Sequence, residues 1–468
     1  MSLALASPEA LEAALAPFAE GGVPDGEAYQ RLSGMTVDHP LAARLKGLDP
    51  FSDAYRDGAM ALYRDLSGRA AGYEPARDEQ SHMGAPANPW TDLPPWSFRK
   101  PDLVAEFLFS WGQILRLLDL PEGGKVLEYG CGTGQLLLVL ARAGLRAHGV
   151  DIDPAAIGAA RTQAEALGLP VALELAPFGG GFAGERFDRI VFFEAFHHAW
   201  DFERLLARLH DRLAPGGRLV FCGEPIVPGP EPGVPFPWGP RLDALSVFCM
   251  RRWGWMELGF QHGFFLRLLR RNGWRATFHP VPGCGRANAY VAEPAPPSLM
   301  RLGEPRDMGA FADGWGPPEG THRWAKEGTS VLPLPAAFAD GPTRLALRVS
   351  NPDTAAKRLV VADGRREAAV SLRPGEAERT VELRRCRATR LLLRCEREAE
   401  PPDGGAAAGA PDARRPGVAV HDVERIEPAA VQLLRAGGTA HLLKAIGRPL
   451  WRRLPGPVRA SLNRLRSP

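Results

Sequence analysis

Two short runs of residues carry the chemistry of this chain. Val126 to Gly134 reads Val-Leu-Glu-Tyr-Gly-Cys-Gly-Thr-Gly, and Gly149-Val150-Asp151-Ile152-Asp153-Pro154 follows it. The first run is an apolar strand that ends at an acid, Glu128, and enters a turn with glycines at 130, 132 and 134. A backbone without Cβ atoms can come within contact distance of a ligand. After an amphipathic helix, a second strand from Ala147 to Val150 ends in Asp151, whose carboxylate can accept hydrogen bonds from two ribose hydroxyls. Together these residues form a nucleoside site.

The kind of nucleoside follows from the spacing. A dinucleotide fingerprint sets its glycines two and then three apart, so that a pyrophosphate can rest on a helix N-terminus. Here the glycines are two and two apart, and Glu128 stands two residues before the first. An acid there would repel a pyrophosphate but could orient an ammonium group, so the ligand should join an adenosine to an amino acid. The pattern resembles the class I S-adenosylmethionine-dependent methyltransferases, whose motif is E/D-x-G-x-G-x-G with a ribose-binding acid after the second strand. The resemblance covers residues 100 to 293. It implies S-adenosyl-L-methionine as cofactor and Glu128, Tyr129, Gly130, Gly132, Gly134, Asp151, Ile152 and Phe193 as the residues around it.

Strands and helices alternate through this part of the chain, which predicts a doubly wound, Rossmann-like α/β sheet. The strands are Val126–Glu128, Leu145–Val150, Val171–Leu175, Phe187–Phe193 and Arg218–Cys222, with a last hairpin from Gly273 to Pro280 and Asn288 to Glu293. Ligands in such sheets sit beyond the carboxyl ends of the strands. This places Glu128, Asp151, Glu174, Phe193, Glu194, His197, His198 and Glu224 around the site. Methyl transfer to a hydroxyl needs in-line approach and a base for the hydroxyl proton. His197 and His198, just past the fourth strand, suit that task near neutral pH, with Glu194 and Glu224 as rival bases. The same pair could equally cap the next helix or orient a substrate.

Four parts make up the expected architecture. Residues 1–100 form a helical N-terminal extension or lid, whose segment Arg77–His82 to Asn88-Pro89-Trp90 and Pro94-Pro95-Trp96 could either close over a cofactor or pack on the core. Residues 101–295 form the S-adenosylmethionine-binding domain. Within it, the proline-rich stretch Pro228–Pro240 and the aromatic residues Trp238, Trp253, Trp255, Phe264 and Phe265 could wall an acceptor pocket or fill the core. Residues 300–426 switch to a period of two and predict an antiparallel β-sandwich. Its opening, Gly314-Trp315-Gly316 to His322-Arg323-Trp324, looks like a β domain of bacterial polysaccharide-biosynthesis enzymes, which implies a sugar or glycan acceptor; a packing module is the alternative. The stretch from Arg397 to Pro416, rich in Ala, Gly and Pro, reads as a loop. Residues 427–468 carry eight Lys or Arg against one acid and apolar residues at near-helical intervals. They could lie on an anionic membrane surface or dock as a helix.

Composition restricts the remaining classes. A net charge of +3 gives no case for a nucleic-acid partner. The six cysteines make no C-x-x-C pair and no zinc-spaced cluster, so neither a metal site nor a disulfide framework is expected. A reducing, cytoplasmic setting is expected, with contact to the inner membrane face through the tail. No run of eighteen apolar residues is long enough to span a bilayer. The expected activity is O-methylation of a sugar in polysaccharide or glycoconjugate biosynthesis. A small natural-product acceptor and a non-catalytic glycan-binding scaffold are the alternatives.

Overall fold

The computed structural model describes residues 4–6, 8–18, 24–80, 88–295, 298–302, 314–319, 322–334, 338, 343–386, 390–397 and 417–426. The expected loop at 397–416, apart from Arg397, and the basic tail at 427–468 lie outside these residues, as does the segment 81–87 of the extension. Two compact units emerge. Of the described residues, one holds those up to Leu269 with 275–294; the other holds 270–274 and those from Ala295 to Ile426.

The first unit is built on a seven-stranded sheet. Its strands are β1 (Lys125–Tyr129), β2 (Arg146–Asp151), β3 (Val171–Leu175), β4 (Phe187–Phe193), β5 (Leu213–Cys222), β6 (Trp274–His279) and β7 (Ala289–Pro294), in the spatial order β6-β7-β5-β4-β1-β2-β3. Strands β1 to β5 pair in parallel and β7 runs antiparallel to β5. Val126-Leu127, Ile190–Phe192 and Leu219–Cys222 are fully buried apolar runs, as expected of parallel strands covered on both faces. The sheet therefore has the expected doubly wound form, with one difference at β5. The helix before it stops at Arg212, and strand pairing begins at once, Leu213 opposite Phe187, so Pro215-Gly216-Gly217 forms a register shift inside the pairing rather than a gap before it.

Helices pack where connections between parallel strands require them. α1 (Gly26–Ser33) and α2 (Asp53–Ser67) belong to the N-terminal extension; α3 (Pro101–Leu118) precedes β1. α4 (Gln135–Arg142) leaves the glycine turn and α5 (Pro154–Ala166) starts after β2, capped by Asp153 Oδ1, which accepts from Ala155 N at 2.8 Å. α6 (Phe202–Arg212) joins β4 to β5, and α7 (Ala244–Arg252) follows the proline-rich insertion.

That insertion contributes no residue to the cavity at the carboxyl ends of the strands. Trp238 sits at its end in a three-stranded sheet with Ile226–Val227 and Leu258–Gln261, is 2% exposed, and packs on Tyr55 of α2, whose hydroxyl donates to the Trp238 carbonyl at 2.7 Å. Phe264 and Phe265 are core residues in the same aromatic cluster. The rigid prolines thus anchor the N-terminal extension to the sheet domain.

The second unit holds two antiparallel sheets. One joins Trp315–Pro318, Arg323–Ala325, Val418–Ile426, Thr343–Asn351 and Glu376–Cys386, with Leu299–Arg301 also pairing onto Val418–Ile426; the other joins Gly328–Pro333, Arg390–Arg397, Lys357–Ala362 and Glu367–Leu372. Leu345, Leu347, Val349, Leu359, Val361, Leu391 and Leu393 alternate along the strands into one buried core. All six cysteines are buried as free thiols. Among the described residues no helix is long and apolar enough to cross a membrane.

Two glycines of the turn after β1 face different constraints. Both have positive φ, +50° at Gly132 and +79° at Gly134, but a Cβ on Gly132 would meet nothing within 4 Å, whereas one on Gly134 would lie 2.8 Å from Ala160 Cβ of α5. Gly132→Ala should therefore cost only backbone strain, about 1–2 kcal/mol. Gly134→Ala adds a steric conflict and should lower the urea midpoint further. Equal losses would show that α5 yields freely.

Candidate active site

A cavity of about 690 Å³ opens at the carboxyl ends of β1, β2 and β4. Of the residues expected around a cofactor, Glu128, Gly130, Gly132, Asp151, Ile152 and Phe193 line it. Tyr129 and Gly134 are not among its lining residues. Tyr129 is buried beneath the floor, with its hydroxyl donating to the Gly180 carbonyl at 3.0 Å and its ring stacked on Phe192, and Gly134 is pressed against Ala160. Both shape the turn from below.

The two acids on this wall are held differently. Asp151 Oδ2 accepts from Gly132 N at 2.7 Å and Oδ1 from Asp153 N at 2.9 Å, so its carboxylate is tied to the glycine turn itself. Burial raises its pKa, and these backbone N–H groups oppose the rise. Glu128 is 3% exposed, and its Oε2 has no hydrogen-bond partner. Burial, reinforced by the charge of Asp151, holds the Glu128 carboxyl well above the usual carboxylate range. An unpaired buried carboxylate is costly. A cationic ligand at this wall would relieve that cost, and the acid and the Gly132 turn are placed for one.

The opposite wall separates the two histidines. His198 lines the cavity; His197 does not. His197 is 6% exposed and its Nδ1 meets Glu224 Oε2 at 2.9 Å. Burial and the neighbouring His198 hold its pKa well below the ordinary value. His198 Nδ1 lies 3.2 Å from Glu79 Oε2. Burial acts to lower its pKa, but Glu79, Glu257 and Glu224 outweigh it, and the ring is pushed up to about 9. At neutral pH His198 is thus a charged donor on the cavity wall, and His197 a neutral ring behind it.

The rival acids are also engaged. Glu224 Oε1 accepts from Ala195 N at 3.0 Å and Phe196 N at 2.9 Å, and Oε2 from His197 N at 3.1 Å, so it closes the turn after β4 and does not line the cavity. Burial brings its pKa up to about 7 against these three donors. Glu194 does line the cavity. Its backbone is in the left-handed region, φ +50°, a costly conformation for a residue with a Cβ, and its carboxylate pairs with Arg286. Arg286 also bonds Glu106 Oε2 at 3.1 Å and the Tyr29 hydroxyl of α1 at 3.2 Å. Burial raises the Glu194 pKa and Arg286 opposes it. Glu174 accepts from Phe182 N at 2.7 Å and is likewise absent from the cavity lining.

Several cavity residues come from beyond the strand ends, and of the aromatic residues weighed as a pocket wall Trp255 lines this cavity. The N-terminal extension supplies Tyr29, Tyr73, Glu79 and Phe98, and the stretch after α7 supplies Trp255. Glu79 is fixed by Tyr73 OH and Met256 N, both at 2.8 Å to Oε1. The sequence signal for Glu79 was only its place in a polar, aromatic segment; nothing local announces that it meets a residue more than a hundred positions away. Trp255 stands edge-on to the His198 ring, with centroids 5.7 Å apart, and Trp253 packs behind it.

Comparison with known proteins agrees with this geometry over the sheet domain. Residues 104–223 match the family model described as a methyltransferase domain. The chain is 30% identical over 171 residues to an S-adenosyl-L-methionine-dependent Diels-Alderase of Talaromyces variabilis, covering 35% of this chain and 55% of that protein. It is 39% identical over 106 residues to a ubiquinone biosynthesis O-methyltransferase of Rhizobium etli, covering 21% and 40%. Among solved structures, the 1,6-didemethyltoxoflavin-N1-methyltransferase of Burkholderia thailandensis aligns at 20% identity and a TM-score of 0.31, over 56% of this chain and 94% of that one. The chain spans about half the length, or less, of these curated relatives. Over residues 104–223, which hold β1 to β5, the chain is accordingly similar to methyltransferase domains.

Proposed function

We propose that the protein transfers a methyl group from S-adenosylmethionine to a hydroxyl of a sugar or glycan-linked acceptor in polysaccharide or glycoconjugate biosynthesis. The observation that carries the cofactor is the unpartnered, buried Glu128 Oε2 beside the Asp151–Gly132 clasp in one cavity. Glu128 would hold the ammonium group, Asp151 the ribose hydroxyls, and the apolar side chains of Ile152 and Phe193 the rest. When bound, the cofactor supplies an electrophilic methyl group on a sulfonium. The chain's own contribution is to seat that cation against acids and to fix the acceptor.

For the acceptor, the support is the far wall. Trp255 and Phe98 offer apolar faces while Glu79, His198 and Glu194 offer hydrogen-bonding groups, the mixture that holds a polar ring. His198 is the member of the histidine pair that can touch an acceptor oxygen, with Glu79 as its positioning residue. The cavity lies within the range of about 300–1,000 Å³ usual for small-molecule sites, which suits a cofactor and one sugar unit. A glycan-holding role for the β-sandwich belongs to the same proposal. Contact of the tail with an anionic membrane surface is proposed separately, from its basic residues alone.

Two measurements test the cofactor part of this reading. Asp151→Asn and Asp151→Ala should weaken S-adenosylmethionine and S-adenosylhomocysteine alike by roughly 1.5–3 kcal/mol per bond lost. Unchanged affinity in calorimetry would remove the cofactor assignment. The pH profile is a second check. Because burial raises the Glu128 pKa in the free protein, its carboxyl is neutral at low pH and cannot meet an ammonium group. Affinity should be full above that raised pKa and fall as pH drops through it. Glu128→Gln should flatten the profile; a profile that keeps its slope assigns the titration to Asp151.

Turnover needs its own assay, since one relative's name couples the same cofactor to a cycloaddition. His198→Asn should lower kcat by roughly 10²-fold or more with little change in cofactor affinity. Glycans from cells with and without the gene should differ by methyl groups in mass spectrometry. Identical glycans would exclude the sugar acceptor and leave a small-molecule acceptor.

A further inference from the structure

At the far wall of the cavity lies a cluster of which the methyl-transfer reading uses only His198. One ring nitrogen of His197, one of His198 and a carboxylate oxygen of Glu257 all lie within 4.8 Å of one another. His197 and His198 are adjacent in the turn after β4, with ring centroids 4.2 Å apart, while Glu257 arrives from the stretch that follows α7. Sequence spacing, which shows no zinc-like pattern, could not reveal this set, because Glu257 is brought in by tertiary structure.

The set has the composition of a transition-metal site. Two imidazoles and one carboxylate suit zinc and its first-row neighbours, and a three-ligand protein site leaves a position open for water or substrate. The outer groups are arranged accordingly. Glu224 Oε2 engages His197 Nδ1 at 2.9 Å, which turns His197 Nε2 toward Glu257 Oε2 at 3.8 Å. A carboxylate on the far nitrogen of a ligating histidine fixes its tautomer and raises its basicity. Glu79 stands beside His198 at 3.2 Å and could serve the same end. Glu257 is itself oriented by Arg241 Nη1 at 3.5 Å and Ser246 Oγ at 3.4 Å. Glu224 and Glu257 are nearly wholly buried, and Glu79 largely so, an acidic surrounding that favours a divalent cation.

We infer that His197, His198 and Glu257 bind a divalent first-row metal ion, with zinc the default, at the edge of the cavity. His198 forms part of the cavity wall, so an ion that binds its ring in place of the proton would present its open position to that space. What the ion does there rests on the methyl-transfer reading: as a Lewis acid it would bind the acceptor oxygen and lower the pKa of its hydroxyl, and the proton released would leave to solvent.

The test uses the full-length protein, stripped of metal by a chelator, and cobalt(II) as the probe. One equivalent of cobalt(II) should bind and give a visible ligand-field band, and zinc should displace it. His198→Asn and Glu257→Gln should abolish the band, and Glu224→Gln should weaken binding roughly ten- to a hundredfold. Glu194→Gln, in the cavity but outside the cluster, should keep it. Circular dichroism identifies any variant that has unfolded, and the two ligand variants serve as each other's check. No band, or an equal band in wild type and in folded ligand variants, overturns the proposal. S-adenosylmethionine calorimetry on the same preparations separates the two readings: cobalt binding without cofactor binding keeps the metal site and removes methyl transfer, and the reverse result removes only the metal.

Discussion

The parallel pairing of β1 with β4, Glu128 opposite Val191, is the constraint from which the site follows. The chain lays β1, β2 and β3 outward in one direction, then returns across β1 to place β4 on its other side. At that reversal the connections leaving β1 and β4 diverge, one into the glycine turn and the other into the Glu194–His198 turn, and the space between them cannot be filled by either. Glu128, Asp151, Phe193, Glu194 and His198 all line this space. Extended apolar strands hold the crevice open from below, so its shape does not depend on any single polar contact.

Three carboxylates around the crevice are held in three different ways. Glu224 is satisfied by backbone N–H groups and a histidine ring, and it organises the turn after β4. Glu194 is answered by Arg286, which also ties α1 and α3 to the sheet through Tyr29 and Glu106. At Glu128 one carboxylate oxygen is left without a hydrogen-bond partner. The first two arrangements are structural solutions complete within the chain. The third is incomplete within the chain, which is why the proposed function pairs Glu128 with a ligand cation.

How far the sequence revealed this depends on whether the residues concerned are close in the chain. The glycine turn, its acid and Asp151 lie within 24 positions, and each leaves a local mark: glycines where φ is positive, an acid at a strand end, a proline opening the next helix. The alternating strands of the sandwich were legible for the same reason, because period-two patterning is local. The short strands Arg323–Ala325 and Leu299–Arg301 were not, since three residues are too few to show a period. Trp238 and Trp255 illustrate the limit. Both are aromatic residues in the region after β5, yet one fills the core against Tyr55 of α2 and the other faces the cavity beside His198, a distinction set by tertiary contacts.

The N-terminal extension is where local reading stopped and tertiary structure took over. Tyr73 donates to Glu79 and also to the His198 carbonyl at 3.0 Å, so a single tyrosine ties the extension to the turn after β4. Glu79 in turn accepts from Met256 N and faces His198, which connects the extension, the turn and the segment after α7 in one polar network. Networks of this kind are worth more intact than the sum of their pairs, and a half-satisfied one is costly. The extension therefore does more than cover the sheet: it supplies the acid that makes His198 a cation. The chemistry available at the acceptor wall is set as much by residues before the sheet begins as by the strand ends that the motif identifies.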